Sequence, residues 1–399
     1  MSRCAPNRLK EVNTVAKIIS VETLLIHLPT RREHKWTGLT EPIGRYILTR
    51  ITSNDGVVGW GEAPALKDWG GEFGRYFGES PAITETVIKE YLGPAITDIE
   101  VGNIVEAHSR MDKVIKGYPY AKAAIETALY DLAGRSLNCP VHTLLGGCAR
   151  NRIPVTHSIG LLDIDIAEKE SATVVKEGIK TIKIKVGVDP ERDVEIVRRI
   201  RAAVGPDINL CVDANEGYKT PGDAIRTIKK MEQHNLIYVE QPVTGIERNA
   251  QVAKAIDTSL MLDESAWNSH DVIQIIEARA ADIVSIYTTK PGGLFRAMEV
   301  AAVCRAAGII CNVNGSVETG LGNLANLQLA AAAPSVVLSC VVPVSTPAEA
   351  QAGQIAGIYY SDDLLEKGMT FSDGSIELPT GNGMGLDVDL NKIEQYKAT

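Results

Sequence analysis

The sequence has 399 residues, of which 45% are hydrophobic and 23% charged, and its formal net charge is −9. This composition predicts a large globular domain with a smaller one, and the negative charge argues against nucleic acid or an anionic membrane as partner. Seven scattered cysteines without a CxxC pair, no apolar run of membrane-spanning length and no apolar signal core at the start predict a cytoplasmic protein.

The first third of the chain predicts a small α+β region. Residues 21–28 (VETLLIHL) and 45–52 (RYILTRIT) have strand character, and Asp55-Gly56 is a hairpin signal between apolar runs. Residues 81–147 have a mainly helical pattern. The Gly-rich aromatic run at 67–80 (KDWGGEFGRYFGES) predicts a mobile loop. The chain has neither a Walker motif nor a strand–GxGxxG–helix unit, so we assign no nucleotide site.

From residue 152 onward, short apolar segments alternate with helical stretches. The eight segments are RIPVTHS, TIKIKVG, INLCVDAN, LIYVEQP, LMLDES, DIVSIYTT, IICNVNGS and VVLSCVVP. Alternating strands and helices predict a parallel sheet, and eight such units predict a (β/α) barrel with its active site at the carboxyl ends of the strands. A doubly wound open sheet is the alternative.

Polar residues stand at these strand ends, 23 to 28 residues apart: Lys183 and Lys185, Asp213, Glu240, Asp263 and Tyr287. On a barrel they would surround one mouth. Three crowded carboxylates repel one another, and a hard divalent cation relieves that repulsion, which predicts Mg²⁺, with Mn²⁺ as the alternative. Neighbouring positive charge lowers the pKa of a lysine. A neutral lysine beside the metal can then remove the proton α to a carboxylate, and the metal and Lys183 can stabilise the enediolate.

The motifs KIK, VDAN, VEQP and LDES resemble those of the enolase superfamily, and the muconate lactonizing enzyme-like branch of its mandelate racemase/muconate lactonizing enzyme subgroup in particular. The resemblance covers roughly residues 17–390. It implies an α/β fold in which an α+β capping domain precedes a (β/α)₇β TIM-like barrel. We expect an N-terminal extension at 1–16, the capping domain at 17–148, the barrel at 149–355, and a tail at 356–399 that returns to the capping domain.

The resemblance also implies roles for particular residues. Asp213, Glu240 and Asp263 are the expected Mg²⁺ ligands, Lys185 the acid/base and Lys183 its companion. The expected partner is a small carboxylate substrate, which loops near 31–38 and 65–80 of the capping domain would enclose. Family members are commonly homo-oligomers, dimers or octamers.

Two departures from the family pattern bear on the reaction. Where many members carry a second catalytic lysine on strand six, this chain has Tyr287, and Lys290 follows three residues later in the loop. Where the mandelate racemase branch has a strand-seven histidine, this chain has Asn314 in that region. Lys185 is therefore the one evident base, and a two-base racemase is disfavoured.

Further contacts to substrate are predicted beside these residues. They come from strand one, from strand ends and loops of the barrel, and from the capping loops: His157, Asn215, Lys290, Asn314, Glu318, Trp36 and Trp69. Asn215 and Glu264 are also candidates to orient the ligands or a water. Each has a plainer reading, such as a hydrogen-bonded histidine, a loop hydrogen bond or a packed tryptophan.

The predicted function is Mg²⁺-dependent proton transfer α to a carboxylate, with a muconate-type cycloisomerase as the first reading. The alternatives are a hydroxy-acid or sugar-acid dehydratase, an amino-acid racemase or epimerase, and a catalytically silent metal-binding barrel. The fold and the motifs do not name the substrate.

Overall fold

The computed structural model describes residues 15–69 and 78–398. Most of the predicted N-terminal extension, and the Gly70–Phe77 part of the predicted mobile loop, lie outside these ranges. Within them, no helix combines the length and apolar character needed to cross a membrane.

An antiparallel sheet with helices on it forms the N-terminal region. Its strands β1 (Ile18–His27), β2 (Arg45–Ser53) and β3 (Val58–Ala63) lie side by side in that order. The predicted turn joins β2 to β3, and Gly56 adopts a φ of +86° there, which glycine tolerates without strain. The helices are α1 (Pro81–Val87), α2 (Gly93–Ile96), α3 (Ile104–Val114), α4 (Pro119–Ser136) and α5 (Val141–Leu144), with a π-helical turn at Ile88–Leu92.

Helix α4 lies directly on β3, and two glycines permit this close approach. A Cβ at Gly59 would stand 2.2 Å from the carbonyl oxygen of Ala128, and one at Gly61 would stand 2.1 Å from that of Ala124. Most residues of α4 are buried, which agrees with its run of small and apolar side chains.

Seven parallel strands follow, and consecutive strands are neighbours in the sheet. They are β5 (Thr156–Ile159), β6 (Thr181–Lys185), β7 (Asn209–Asp213), β8 (Leu236–Glu240), β9 (Leu260–Leu262), β10 (Ile283–Ile286) and β11 (Ile310–Val313), after a short β4 (Arg152–Pro154). One helix follows each: α6 (Ile164–Lys176), α7 (Pro190–Val204), α8 (Pro221–Met231), α9 (Ile246–Ala253), α10 (Ser269–Ala278), α11 (Leu294–Ala306) and α12 (Gly320–Ala332). Short 3₁₀ turns occur at Glu232–His234 and Ala348–Ala350.

The eighth predicted segment closes the barrel through isolated bridges and does not form a regular strand. Cys340 bridges to Val155 beside β5, and Val341 bridges to Asn314 beyond β11, both in parallel orientation. The segment therefore joins the two outer strands of the sheet. This closure confirms the predicted (β/α)₇β barrel and excludes the open doubly wound sheet.

The register of β6 decides which face its lysines occupy. Lys183 pairs with Ser158 of β5, and Lys185 pairs with Asp213 of β7. Because paired residues of neighbouring strands share a face, these side chains lie together on the interior of the barrel. His157 pairs with Ile182 and shares the outer face, which α6 covers.

The C-terminal residues contact both parts of the molecule. Strands β12 (Phe371–Ser372) and β13 (Ser375–Glu377) extend β4, and helix α13 (Leu390–Tyr396) leads to a backbone hydrogen bond from Ala398 to Leu25 of β1. The tail thus reaches the N-terminal sheet. The exact domain boundaries stay predictions.

Two buried carboxylates of the N-terminal region hold the ends of barrel helices. Glu62 of β3 accepts bonds from the N–H groups of Thr319 and Gly322 at the start of α12, at 2.9 and 3.2 Å. Glu126 of α4 accepts two bonds, at 2.8 and 2.7 Å, from the first N–H groups of α11. Since the N-terminus of a helix attracts negative charge, these contacts fix the capping region beside β10 and β11.

Candidate active site

The charged residues predicted at the strand ends meet at the mouth of the barrel. Lys183 and Lys185 lie on β6, Asp213 ends β7, Glu240 ends β8, and Asp263 follows β9. Each is at most 7% exposed. Five ionisable side chains are thus removed from water together, which is costly unless they pair with one another or with an ion.

The two lysines of β6 pair with the carboxylates of the next strands. Lys183 Nζ lies 3.0 Å from Asp213 Oδ2 and 2.8 Å from Glu240 Oε2. Lys185 Nζ lies 2.6 Å from Asp213 Oδ2 and 2.7 Å from Asn215 Oδ1. The two positively charged lysines can share one face of β6 because the carboxylates of Asp213 on β7 and Glu240 on β8 pair with them.

This pairing sets the protonation of the groups. Burial raises the pKa of Asp213, but Lys183 and Lys185 outweigh it and hold that pKa at about 2. Burial and the nearby Asp213 raise the pKa of Glu240 to about 8. Burial lowers the pKa of Lys183, yet Asp213 and Glu240 hold it well above its usual range. The lowered pKa predicted for a base lysine beside a metal ion stays a prediction.

Asn215 connects Lys185 to two carboxylates. Its Oδ1 accepts from Lys185, its Nδ2 donates to Glu264 Oε1 at 2.8 Å, and its backbone N–H donates to Asp213 Oδ1 at 3.0 Å. Asn215 reaches these partners from a left-handed conformation, with a φ of +43°. Asn215 is placed to orient Lys185, whereas its predicted role of orienting the metal ligands or a water stays a prediction.

On the opposite side of the mouth, Asp263 contacts two groups that follow β10. The Tyr287 hydroxyl donates to Asp263 Oδ2 at 2.8 Å. Lys290 Nζ donates to Asp263 Oδ1, to the Asp263 carbonyl and to the Ser285 carbonyl, at 2.6, 2.9 and 3.0 Å. These bonds use the three donors of the ammonium group.

Lys290 does not line the cavity at the mouth, and its predicted contact with substrate stays a prediction. Tyr287 does line the cavity. Burial, followed by the charges of Asp263 and Glu240, holds the pKa of Tyr287 well above its usual range, so its hydroxyl keeps its proton.

Asn314 lies beyond β11 and lines the same cavity. Its Nδ2 donates to Glu240 Oε1 at 3.0 Å and to Ser285 Oγ at 2.7 Å. Asn314 therefore supports a carboxylate of the mouth, and its place in the lining leaves the predicted substrate contact open to test.

His157 and Glu318 lie outside the cavity lining. His157 Nδ1 accepts the Gly357 N–H at 3.0 Å, and Nε2 lies 2.9 Å from Glu170 Oε1. Both ring nitrogens therefore have partners within the protein, and the predicted contact of His157 with substrate stays a prediction. Glu318 accepts the Ser316 N–H at 2.9 Å, and burial raises its pKa to about 7. Glu318 therefore stabilises the loop after β11 without lining the cavity.

The capping region supplies the cover of the cavity. Trp36 and Trp69, both predicted as substrate contacts, line it together with His34 and Leu66. The Trp36 ring lies 5.7 Å from Lys185 Nζ, within cation–π range. Trp69 stacks on Tyr287 with ring centres 5.4 Å apart. The two tryptophans thus reach the base lysine and the phenol, respectively.

Sequence reasoning missed three polar groups that line the cavity: Ser158, Ser316 and Tyr359. Ser158 adjoins the predicted His157, and alternation along β5 could have pointed to it if the register against Lys183 were known. Tyr359 belongs to the C-terminal tail, about 200 residues away along the chain from His157, and no local pattern signals its approach.

The donor set fits a hard divalent cation. In the described ranges, no three His, Cys, Asp or Glu side chains converge closely enough to hold a metal ion. Yet four carboxylates, those of Asp213, Glu240, Asp263 and Glu264, crowd one mouth. Among the described residues, Glu264 Oε2 has no hydrogen-bond partner although it is buried. Oxygen donors in excess of the nearby ammonium groups suit Mg²⁺.

Comparison with protein families gives two matches that together cover most of the chain. Residues 20–146 match the family model "Mandelate racemase / muconate lactonizing enzyme, N-terminal domain", and residues 165–392 match "Enolase C-terminal domain-like". The boundary between the two matches falls between α5 and α6, where the capping region gives way to the barrel.

Similar proteins differ in the reactions they are named for. Muconate cycloisomerase 1 of Rhodococcus opacus is 28% identical over 96% of this chain and 99% of its own length. N-succinyl-L-Arg/Lys racemase of Bacillus cereus is 32% identical over 79% of this chain and 84% of its own. The crystal structure of 2-chloromuconate cycloisomerase from R. opacus 1CP superposes with a TM-score of 0.86 at 27% identity, covering 96% of this chain and all of that one.

Proposed function

Because the chain belongs to the mandelate racemase/muconate lactonizing enzyme family of the enolase superfamily, and is an isomerase or lyase of that superfamily, we propose that it performs one-base proton transfer α to the carboxylate of a small organic acid, with Mg²⁺ as its cofactor. The first candidate reaction is cycloisomerisation, the making or opening of a lactone. Cycloisomerases among its relatives support this choice.

One observation carries the one-base assignment. Lys185 lines the cavity from β6, whereas the residue that lines it from β10, across the barrel, is Tyr287. Lys290 is bonded to Asp263 and Ser285. Lys183 and Lys185 both line the cavity from β6, and Lys185 is the one whose Nζ Asn215 orients, while the β10 side offers a phenol that keeps its proton.

In this proposal, each residue of the site has a role that follows from its position. Lys185 removes or returns the α-proton, and Asn215 holds its Nζ at 2.7 Å. Lys183 holds positive charge between Asp213 and Glu240 and can face the carboxylate oxygens of the substrate. Asp213, Glu240 and Asp263 would hold Mg²⁺, which supplies positive charge for the two oxygens of the enediolate. The capping tryptophans exclude water from the cavity.

In the lactone-opening direction, Lys185 takes the α-proton, the bond from the β-carbon to the ring oxygen breaks, and a carboxylate and a carbon–carbon double bond form. In the closing direction, the carboxylate adds to the double bond and Lys185 returns its proton to the α-carbon. Both directions balance without an oxidant or a second substrate.

A dehydratase is the second candidate, because the same geometry serves β-elimination of water. Lys185 would take the α-proton, and the hydroxyl on the β-carbon would leave as water with a proton from Lys185 or from the Tyr287 hydroxyl. A racemase or epimerase, although named among the relatives, requires a second base where Tyr287 stands. In a catalytically silent metal-binding barrel, Lys185 would have no catalytic role.

The test is the stereochemistry of proton exchange. Chiral carboxylic acids are incubated with the enzyme and Mg²⁺ in D₂O and followed by NMR and polarimetry. We expect deuterium to enter the α-position of one enantiomer with retained configuration. Racemisation of one enantiomer into the other would contradict the one-base assignment, and absence of exchange from every acid tried would favour the silent barrel.

A further inference from the structure

Gln241 lies directly after Glu240, at the end of β8, and is fully buried. Its backbone N–H donates to the Met261 carbonyl of β9 at 2.9 Å. In a regular strand, the carbonyl of the same residue would face β9 as well. The φ of Gln241 is +36°, however, and its carbonyl accepts the N–H of Glu216, in the loop after β7, at 2.8 Å. The backbone at the end of β8 thus turns from one neighbouring strand to the other.

The side-chain amide of Gln241 takes the place of that carbonyl on the β9 side. Its Oε1 accepts the N–H groups of Asp263 and Ser265, at 3.0 and 3.2 Å. Its Nε2 donates to Ser265 Oγ at 2.8 Å and to the Val243 carbonyl at 3.0 Å. These four bonds use both acceptor sites and both donors of the amide. Its orientation is therefore fixed, because a reversed amide would place its NH₂ group against two N–H donors.

Gln241 therefore joins the three strand ends that carry the expected metal ligands. Its bonds to Glu216 and Asp263 reach the ends of β7 and β9, and it adjoins Glu240 itself. A left-handed backbone is uncommon outside glycine, and such strain persists where surrounding contacts overdetermine the conformation. Asn215 and Glu216 share this conformation, with φ values of +43° and +64°. The contacts of Gln241 thus hold the backbone between the ligands in a shape that residues other than glycine rarely adopt.

We infer that Gln241 is the positioning residue of the metal site, and that its amide sets the spacing of Glu240 and Asp263 to suit a cation as small as Mg²⁺. Mg²⁺ requires a near-octahedral set of oxygens at about 2.0–2.1 Å, whereas Ca²⁺ tolerates irregular sets at about 2.3–2.6 Å. Loosened ligands should therefore lose affinity for Mg²⁺ more than for Ca²⁺. The inference rests on the Mg²⁺ cofactor of the proposed function and deepens it.

The test compares two neutral substitutions of Gln241 with a matched control. Gln241→Met removes all four bonds of the amide, and Gln241→Asn keeps an amide that is too short to reach the Asp263 N–H. Asn249→Leu is the control, because the buried Asn249 amide donates to the same Val243 carbonyl, at 2.6 Å, and to the Gly245 carbonyl, at 2.8 Å. Calorimetry on the full chain gives the dissociation constants of Mg²⁺ and Ca²⁺, and the melting temperature in EDTA reports folding.

We expect both Gln241 variants to bind Mg²⁺ at least tenfold more weakly than the parent, with a change of less than threefold for Ca²⁺. Asn249→Leu should lower the melting temperature in EDTA and keep both dissociation constants within threefold of the parent. Ser265→Ala, which removes only one acceptor of the Gln241 amide, should weaken Mg²⁺ binding two- to fivefold.

A loss of Mg²⁺ affinity below tenfold in the Gln241 variants, or equal losses for the two cations, overturns the inference and leaves the Mg²⁺ cofactor intact. An equally selective loss in Asn249→Leu also overturns it, because the effect would then belong to the Val243 turn. If neither Gln241 variant folds, parent-like Mg²⁺ affinity in Ser265→Ala overturns the inference. Failure of the parent to bind Mg²⁺ overturns the proposed cofactor and the inference with it.

Discussion

At the scale of single residues, the proposed one-base reaction depends on two side chains on opposite strands of the barrel. Lys185 is bonded to Asp213 and Asn215, and Tyr287 is bonded to Asp263. Each reactive group is thus tied to an expected metal ligand. In the proposed reaction, the strand that carries Lys185 decides the face of the substrate from which the proton is taken.

We expect Lys185→Ala to abolish α-proton chemistry while the protein stays folded. Removal of a general base typically lowers the rate by about 10² to 10⁴. Exchange of the α-proton in D₂O and circular dichroism are the measurements. Lys180→Ala is the matched control, because Lys180 is exposed and precedes the same strand. Parent-like exchange in Lys185→Ala would place the base elsewhere.

Tyr287→Phe should separate exchange from turnover. The phenol donates a hydrogen bond to Asp263 and cannot bring the charge of a lysine. We therefore expect exchange from the Lys185 side to persist in the variant, while net turnover falls if the phenol positions substrate or protonates a leaving group. Tyr238→Phe, a buried tyrosine outside the cavity lining, is the control. Loss of exchange in Tyr287→Phe, with folding intact, would make Tyr287 part of the base system.

At the scale of elements, ion pairs connect the 31–36 loop to α6. Glu170 of α6 lies 3.2 Å from Arg31 and 2.8 Å from Arg32, and its other neighbour is His157. Burial opposes the ionised form of Glu170, but His157 and Arg32 hold its pKa well below its usual range. Because Trp36 follows in this loop, Glu170 indirectly sets the position of the ring beside Lys185.

Glu170→Gln should therefore raise KM several-fold with a smaller change in kcat, since it loosens the cover and leaves the base in place. It should also lower the melting temperature, because two half-buried arginines lose their carboxylate. Glu168→Gln is the control on the same helix, where the carboxylate pairs with Arg199 at the surface and such pairs contribute about 0–1 kcal/mol. Equal KM values in the two variants would contradict the positioning role.

A second element-scale prediction concerns the start of α4. Glu79 is fully buried and accepts the N–H groups of Tyr120 and Ala121, each at 2.9 Å. Burial raises its pKa to about 7, although these bonds and the charge of Lys122 act the other way. Between about pH 4.5 and 7 the folded state thus holds a proton that the unfolded state has released. This contribution to stability is complete below about pH 4.5 and lost as the pH rises through 7.

Glu79→Gln should remove that contribution, which amounts to about 3 kcal/mol at most. Urea unfolding of the parent and the variant between pH 4 and pH 8 measures it: the stability of the parent should fall more steeply with pH than that of Glu79→Gln. Glu90→Gln, an exposed change nearby, should follow the parent. Parallel curves for the parent and Glu79→Gln would show that Glu79 titrates alike in both states.

At the scale of the whole molecule, the cavity is assembled from parts far apart in the chain. Trp36 and Trp69 come from the capping region, Lys185 and Asp213 from the barrel, and Tyr359 from the tail. Contacts of Glu62 and Glu126 with barrel helices hold these parts together. The predicted homo-oligomer, as dimer or octamer, and the predicted cytoplasmic location stay predictions, and the former is measured by light scattering.

Mg²⁺ should stabilise the whole fold if the mouth binds it. A ligand present at 100 times its dissociation constant adds about 2.7 kcal/mol to the free energy of unfolding. We expect the melting temperature to rise by a few degrees on replacing EDTA with Mg²⁺, and activity to return. Asp213→Asn and Glu240→Gln should lose the shift, and Asp207→Asn, an exposed change, should keep it. Full activity in metal-free protein would contradict the magnesium assignment.

The sequence by itself determined the barrel and the group at its mouth. Alternation of apolar segments with helices leads to a parallel sheet, and the strand ends of a closed sheet share one mouth. Lys183, Lys185, Asp213, Glu240 and Asp263 therefore came together as expected, because their spacing of one βα unit carries that information.

The tertiary structure alone decided the partners of these groups and the lining of the cavity. The register between β5 and β6 turned Ser158 inward and His157 outward, and a shift of one residue would reverse them. Lys290 contacts Asp263 through the fold of the loop after β10, and Tyr359 reaches the cavity from the tail. Such contacts join residues distant in the chain, and no local propensity or periodicity specifies them.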